Sequence, residues 1–79
     1  MPKYVPLLEL SDAERNCGFD VSQTASGTKI VARKIADDLL AVKMHDSDGR
    51  IAYVVCDPNL EPIYIAATSL GELRERLIG

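Results

Sequence analysis

His45-Asp46-Ser47 holds the residue types of a hydrolase triad, but a working triad brings its members together from separate chain segments. Neighbours at the end of a strand point to opposite sides and cannot relay a proton. The tripeptide therefore reads as a solvated hairpin tip. Asp46-x-Asp48-Gly49 matches the middle of a calcium loop, yet position twelve counted from Asp46 is Asp57 and not the bidentate Glu such a loop requires. Cys17 and Cys56 are far apart, with one histidine in the chain, so no spacing supports a tetrahedral zinc site. Cys56 is expected to be a buried thiol. Cys17, beside Asn16 and Gly18 at a helix end, is expected to be exposed and able to cross-link two copies in air. Gly18, Gly27, Gly49, Gly71 and Gly79 are isolated, and no glycine-rich loop cradles a phosphate. Asp37 and Asp38 are adjacent and diverge, whereas general acid–base catalysis needs two acids aimed at one point. No catalytic, cofactor-binding or metal-ligating residue is expected, and the chain reads as a non-enzyme.

The elements that carry these residues belong to one small α+β domain, residues 1–79. Leu39 to His45 and Arg50 to Cys56 flank Asp46-Ser47-Asp48-Gly49, a hairpin turn with Gly49 in the left-handed position. Asp57-Pro58-Asn59-Leu60 makes a second turn, and Pro62 to Ala67 a third strand. Ser69 with Glu72 three residues on caps a final helix, whose Leu70, Leu73 and Leu77 fall on one face. Ser11 with Glu14 caps a short helix that Gly18 stops. Tyr4 to Leu10, broken by Pro6, suits only an edge strand. Val21 to Thr28, small and polar, reads as a loop. Lys29 to Asp38 fits either a helix or a strand; the strand is preferred, because a helical stripe would run unbroken into the strand at Leu39. The expected fold is an antiparallel meander of three to four strands with a C-terminal helix and a short N-terminal one.

Ile51 to Cys56 is apolar on both faces, which marks a central strand covered twice. One face takes the C-terminal helix. The other is expected to be covered chiefly by residues 1–36, with a homodimer or another partner as the alternative cover.

Charge is the more informative signal. Twelve acids against nine bases leave a net −3, which opposes unaided binding to nucleic acid or an anionic membrane. The stretch Lys29-x-x-x-Arg33-Lys34 has no aromatic residues for stacking and reads as a solvated face. Met1-Pro2-Lys3-Tyr4 lacks the apolar core of a signal peptide, and the longest uncharged run, Pro62 to Gly71, has ten residues, so a cytoplasmic location is expected. Residues 37–61 hold six acids, Asp37, Asp38, Asp46, Asp48, Asp57 and Glu61, against Lys43 and Arg50. If Lys29–Ile35 is a strand, alternate turns of the meander bring Asp37 and Asp38 to one end with Asp57 and Glu61, and send Asp46 and Asp48 to the other. Acidic turns often serve local hydrogen bonding and solubility alone. As a functional surface, this end suits a basic groove on a protein, for instance one belonging to a nucleic-acid-binding complex. Tyr53 and Tyr64, if exposed beside it, are the natural aromatic anchors.

In size, acidity, α+β layout and lack of a catalytic motif, the chain is similar in format to small phage- or mobile-element-encoded inhibitors of bacterial defence, including anti-CRISPR proteins. That resemblance implies steric and electrostatic occlusion, with Asp37, Asp38, Asp57 and Glu61 opposing Arg or Lys of a target. The strand order ending in S-L-G-E-L-R-E-R-L also loosely resembles the β-meander-plus-helix domains of some antitoxins, although no DNA-binding helix-turn-helix accompanies it here. An accessory subunit of a larger bacterial or phage assembly is a further alternative.

Overall fold

The computed structural model describes residues 4–77, the side chain of residue 77 excepted; that places the third apolar helix position, Leu77, outside the described side chains. The element order is β1 (Val5–Pro6), α1 (Asp12–Asn16), β2 (Asp20–Gln23), β3 (Lys29–Ala36), β4 (Leu39–His45), β5 (Ile51–Cys56), β6 (Pro62–Ala67) and α2 (Leu70–Leu77). The strands form one antiparallel sheet in the order β2-β3-β4-β5-β6, and β1 pairs with the far end of β4 through Val5↔His45 and Pro6↔Met44. An antiparallel sheet with a C-terminal helix matches the sequence reading, but there are more strands than the three to four expected. Lys29–Ala36 is a strand, as preferred. The expected loop at Val21 to Thr28 is corrected: Asp20–Gln23 pairs with β3, and all four of its residues are exposed, so no apolar alternation marked it.

Three of the hairpin turns share one hydrogen-bonding scheme. In each, the first residue donates its N–H to the carbonyl four residues on, and its own carbonyl accepts from the residue three on: Thr24 with Thr28 and Gly27, Asp46 with Arg50 and Gly49, Asp57 with Glu61 and Leu60. The fourth position is left-handed in all three, with φ +90° at Gly27, +80° at Gly49 and +65° at Leu60. Glycine adopts that conformation without strain and leucine does not. Leu60 adopts it with its side chain partly buried against the sheet.

Directly paired residues share a face, so the register sorts the core into two layers. Phe19, Val31, Ala41, Tyr53, Val55 and Leu73 lie on the face covered by the helices. Ile30, Ala32, Val42, Met44, Ala52, Val54 and Cys56 lie on the other, closed by Tyr4, Leu40 and Leu60. The residues of the second face are 0–8% exposed within the single chain, but Ile30 and Ala32 are part of the face itself, so of the expected cover by residues 1–36 only Tyr4 is among the hydrophobic residues packed against it, beside Leu40 and Leu60. Each fully buried Val, Leu, Ile or Phe contributes about 1.5–3 kcal/mol. The expected exposure of Cys17 is corrected as well: it is buried at 7% and packs in the helix-side layer, because the chain turns inward at Gly18 to seat Phe19.

Candidate interaction surface

The pairing Leu40↔Cys56 sets the start of β4 beside the end of β5, and Cys56↔Pro62 sets the start of β6 next to it. The β3–β4 turn at Asp37-Asp38 and the β5–β6 turn at Asp57–Glu61 therefore occupy one end of the sheet, and Asp46 and Asp48 the opposite end. Neighbouring strands are about 5 Å apart. Asp37, Asp38 and Glu61 are exposed and Asp57 is half-buried. Among the described residues the ion pairs are Lys43–Glu14 and Arg76–Glu72, which leaves all four acids of this end unpaired. Asp57 also serves its own turn, where its Oδ1 accepts from the N–H groups of Asn59 and Glu61, both at 2.9 Å. Asp46 caps its turn in the same way, accepting from Asp48 and Arg50 at 2.9 Å.

The two tyrosines part company. Tyr64 is 53% exposed on β6, an edge strand, where Ile63 and Ile65 are 54% and 42% exposed. Tyr53 is 4% exposed and is no surface anchor. It faces the helix side of the sheet, where its ring packs against Phe19 at 5.4 Å and its hydroxyl donates to Glu14 Oε2 at 2.6 Å.

That last bond belongs to a buried network which motif spacing did not reveal. Lys43 Nζ lies 2.8 Å from Glu14 Oε1 and donates also to the Glu9 carbonyl at 2.8 Å. Ser11 donates to the same Oε1 through its backbone N–H at 3.0 Å and its hydroxyl at 2.9 Å, so the helix cap and the sheet share one carboxylate. Burial by itself would raise the pKa of Glu14, but the bonds from Lys43, Tyr53 and Ser11 outweigh it and hold the group at about 2. Burial, then the neighbouring Glu14 carboxylate, raises the pKa of Tyr53. Every buried polar side-chain atom among the described residues has a partner. The network is thus satisfied, and its arrangement is that of a clamp fastening α1 to β4 and β5. The signal that points to it is Lys43 itself, a lysine at a core position of L-L-A-V-K-M-H, which must find a partner to be buried.

Burial, and secondarily Asp57, push the Cys56 thiol up to about 11, and its Sγ donates to the Val54 carbonyl at 3.6 Å. It is the buried thiol expected. A cleft of about 560 Å³ lies near the opposite end of the sheet, lined by Tyr4, Asp46, Arg50, Ile51, Ala52 and Thr68. His45 donates or accepts at Nδ1 with the Asp46 carbonyl, 2.9 Å away, and Ser47 takes no part. Among the described residues no group of three or more His, Cys, Asp or Glu could hold a metal ion, and no helix is long and apolar enough to cross a membrane.

Comparison with known protein families, with characterised proteins and with solved structures finds no match to this chain.

Proposed function

We propose that this chain is a non-enzymatic binding module that occludes a basic surface of a macromolecular partner, in the manner of the small phage-encoded inhibitors it resembles in format. The observation that carries the reading is the convergence of Asp37, Asp38, Asp57 and Glu61 at one end of the sheet, with no cation among the described residues paired to any of them. Lys43, one of the two bases in that part of the sequence, is internal and neutralised by Glu14, so the surface of residues 37–61 presents six acids against Arg50 alone. An acidic end of this kind steers a basic groove into register and rejects acidic surfaces. The protein partner is one with clustered Arg or Lys, such as the nucleic-acid channel of a defence complex.

The test compares the wild type with a variant carrying Asp37→Asn, Asp38→Asn, Asp57→Asn and Glu61→Gln. Asn at position 57 keeps the acceptor that caps the turn, and exposed charges contribute little to stability, so the variant folds. Tagged protein captures a stoichiometric basic partner from bacterial lysate, which elutes between low and high salt and is lost from the variant. Equal capture by the folded variant refutes the acidic-end reading. A small partner that resists high salt favours an antitoxin or assembly subunit with an apolar interface instead.

A further inference from the structure

The β6 edge has the residues of a self-complementary seam. Its neighbour on one side is β5, and among the described residues no strand lies on the other side. An edge like this one is usually blunted by charge, proline or helix cover. Pro62 blunts one end, and at the other Arg76 Nη1 donates to the Ala66 carbonyl at 2.8 Å. Between them Ile63, Tyr64 and Ile65 are open and apolar, whereas the other outer strand, β2, carries Asp20, Ser22 and Gln23 around a single Val21. Register shifts fall on either side of the Tyr64–Ile65 pair, so the open stretch is short. Its two ends differ in charge: Glu61 precedes Pro62, and at Ala66 sits the Arg76 guanidinium, which keeps only a long, exposed contact of 3.9 Å to Glu72.

We propose that β6 pairs antiparallel with β6 of a second copy about a twofold axis at Tyr64. In this register Tyr64 meets Tyr64 of the second copy on the helix-bearing face that it shares with Val55. Ile63 stands opposite Ile65 of the second copy, and Glu61 opposite Ala67, beside the second copy's Arg76. The twofold repeats each contact, which gives two Glu61–Arg76 pairs. The charge pattern singles out a copy of this chain as the occupant: an antiparallel copy brings a base to the acidic end of the edge, whereas a parallel one brings Glu61 to Glu61. The contact is isologous and closes at two chains. It goes beyond the proposed function and leaves Asp37, Asp38 and Asp57 of both copies open, at opposite ends of the joined sheet. The open apolar stretch is three residues, Ile63, Tyr64 and Ile65, against roughly 20–30 residues a side in a durable interface, so the proposal is for a weak dimer, with a dissociation constant on the order of 10⁻⁵–10⁻⁴ M.

Sedimentation equilibrium over a concentration series tests it, with circular dichroism confirming the fold of each variant. The wild type is expected to move from the 8.6 kDa monomer toward twice that mass. Tyr64→Lys is expected to stay monomeric throughout. Glu61→Arg alone and Arg76→Glu alone are each expected to weaken association about fivefold or more, and their combination to restore it. A wild type that remains monomeric to about 500 µM, beyond the dissociation constant given above, overturns the proposal. So does a dimer indifferent to Tyr64→Lys, a charge exchange that fails to restore association, or a dimer abolished by Leu8→Lys, which would place the seam at another exposed apolar residue. Glu61 belongs to both surfaces, so capture by the acidic end is read separately with Asp37→Asn, Asp38→Asn and Asp57→Asn, which leave the seam untouched.

Discussion

Removing one member of the Glu14–Lys43 pair should damage the fold far more than removing both. Lys43→Met leaves the carboxylate in the core with Ser11 and Tyr53 as donors, and Glu14→Gln leaves the ammonium facing an amide and the Glu9 carbonyl. Both groups are nearly sealed, with side-chain exposures of 6% for Lys43 and 4% for Glu14, so each single change costs about 3–5 kcal/mol. A domain of 79 residues has about 4–12 kcal/mol in total, so either variant loses a large part of its margin. The pair together, Glu14→Gln with Lys43→Met, removes both charges and keeps an acceptor for the Tyr53 hydroxyl. Replacement of a whole buried pair is often neutral or better, so the double variant should be more stable than either single one, with a coupling of at least about 3 kcal/mol. The pH dependence follows from the same carboxylate. Its pKa is lowered from 4.5 to about 2 in the fold, so its contribution is complete above pH 4.5 and is lost as pH falls from 4.5 to 2. Urea unfolding followed by circular dichroism at pH 7, and again in steps down to about pH 2.5, measures both. Single losses that add to within about 0.5 kcal/mol, or an acid limb unchanged in the double variant, would refute the clamp.

The thiols give a second expectation. Cys56 is fully buried with a raised pKa and Cys17 is 7% exposed, so neither should react with a thiol reagent at about pH 8 until urea unfolds the chain; prompt labelling of one equivalent in native protein would contradict the packing of Cys17. The turn at Asp57 supplies a third. Asp57→Asn keeps the acceptor for Asn59 and Glu61 and should change stability by under about 0.5 kcal/mol, whereas Asp57→Ala forfeits both bonds and should cost about 1–2 kcal/mol, read from urea midpoints. Equal midpoints for the two variants would mean that the carboxylate does not cap the turn.

Local chemistry was legible wherever one residue's spacing carried it. Ser11 with Glu14 makes a capping box, Gly49 takes the left-handed turn position, and the strands at Leu39–His45 and Pro62–Ala67 have the bounds the apolar runs imply. The helix at Ser69 begins as read, with one difference. Ser69 Oγ accepts from Glu72 N–H at 3.2 Å, but the Glu72 carboxylate accepts from Thr68 and not from Ser69. What escaped the sequence was contact at a distance. Both faces of β5 are apolar, so alternation could not say whether Tyr53 or Tyr64 was the buried one; that depends on which strand lies at the edge. Likewise β2 is exposed along its whole length and bears no pattern, although it pairs with β3. Glu14 was visible as a cap residue, and its bond to Lys43, 29 positions away, was not.

The acidic end illustrates how a structural and a functional reading can rest on the same residues and still be separated. Asp57 has a structural reason to be acidic or an amide, since its Oδ1 terminates two backbone donors, and Asp46 repeats that reason at the far end of the sheet. Neither residue by itself argues for a partner. Glu61, Asp37 and Asp38 have no such role among the described hydrogen bonds, and they stand at the end where Asp57 already places a negative charge. Four like charges on turns one to two strand spacings apart repel one another by a few tenths of a kcal/mol per pair in water, a small cost that solubility alone does not require at a single end. The proposed partner contact is therefore best tested by the difference between the two ends: neutralising Asp37 and Asp38 should weaken capture, while neutralising Asp46 and Asp48 removes the same charge and should leave it intact. Equal loss from both sets would reduce the surface to net charge without shape.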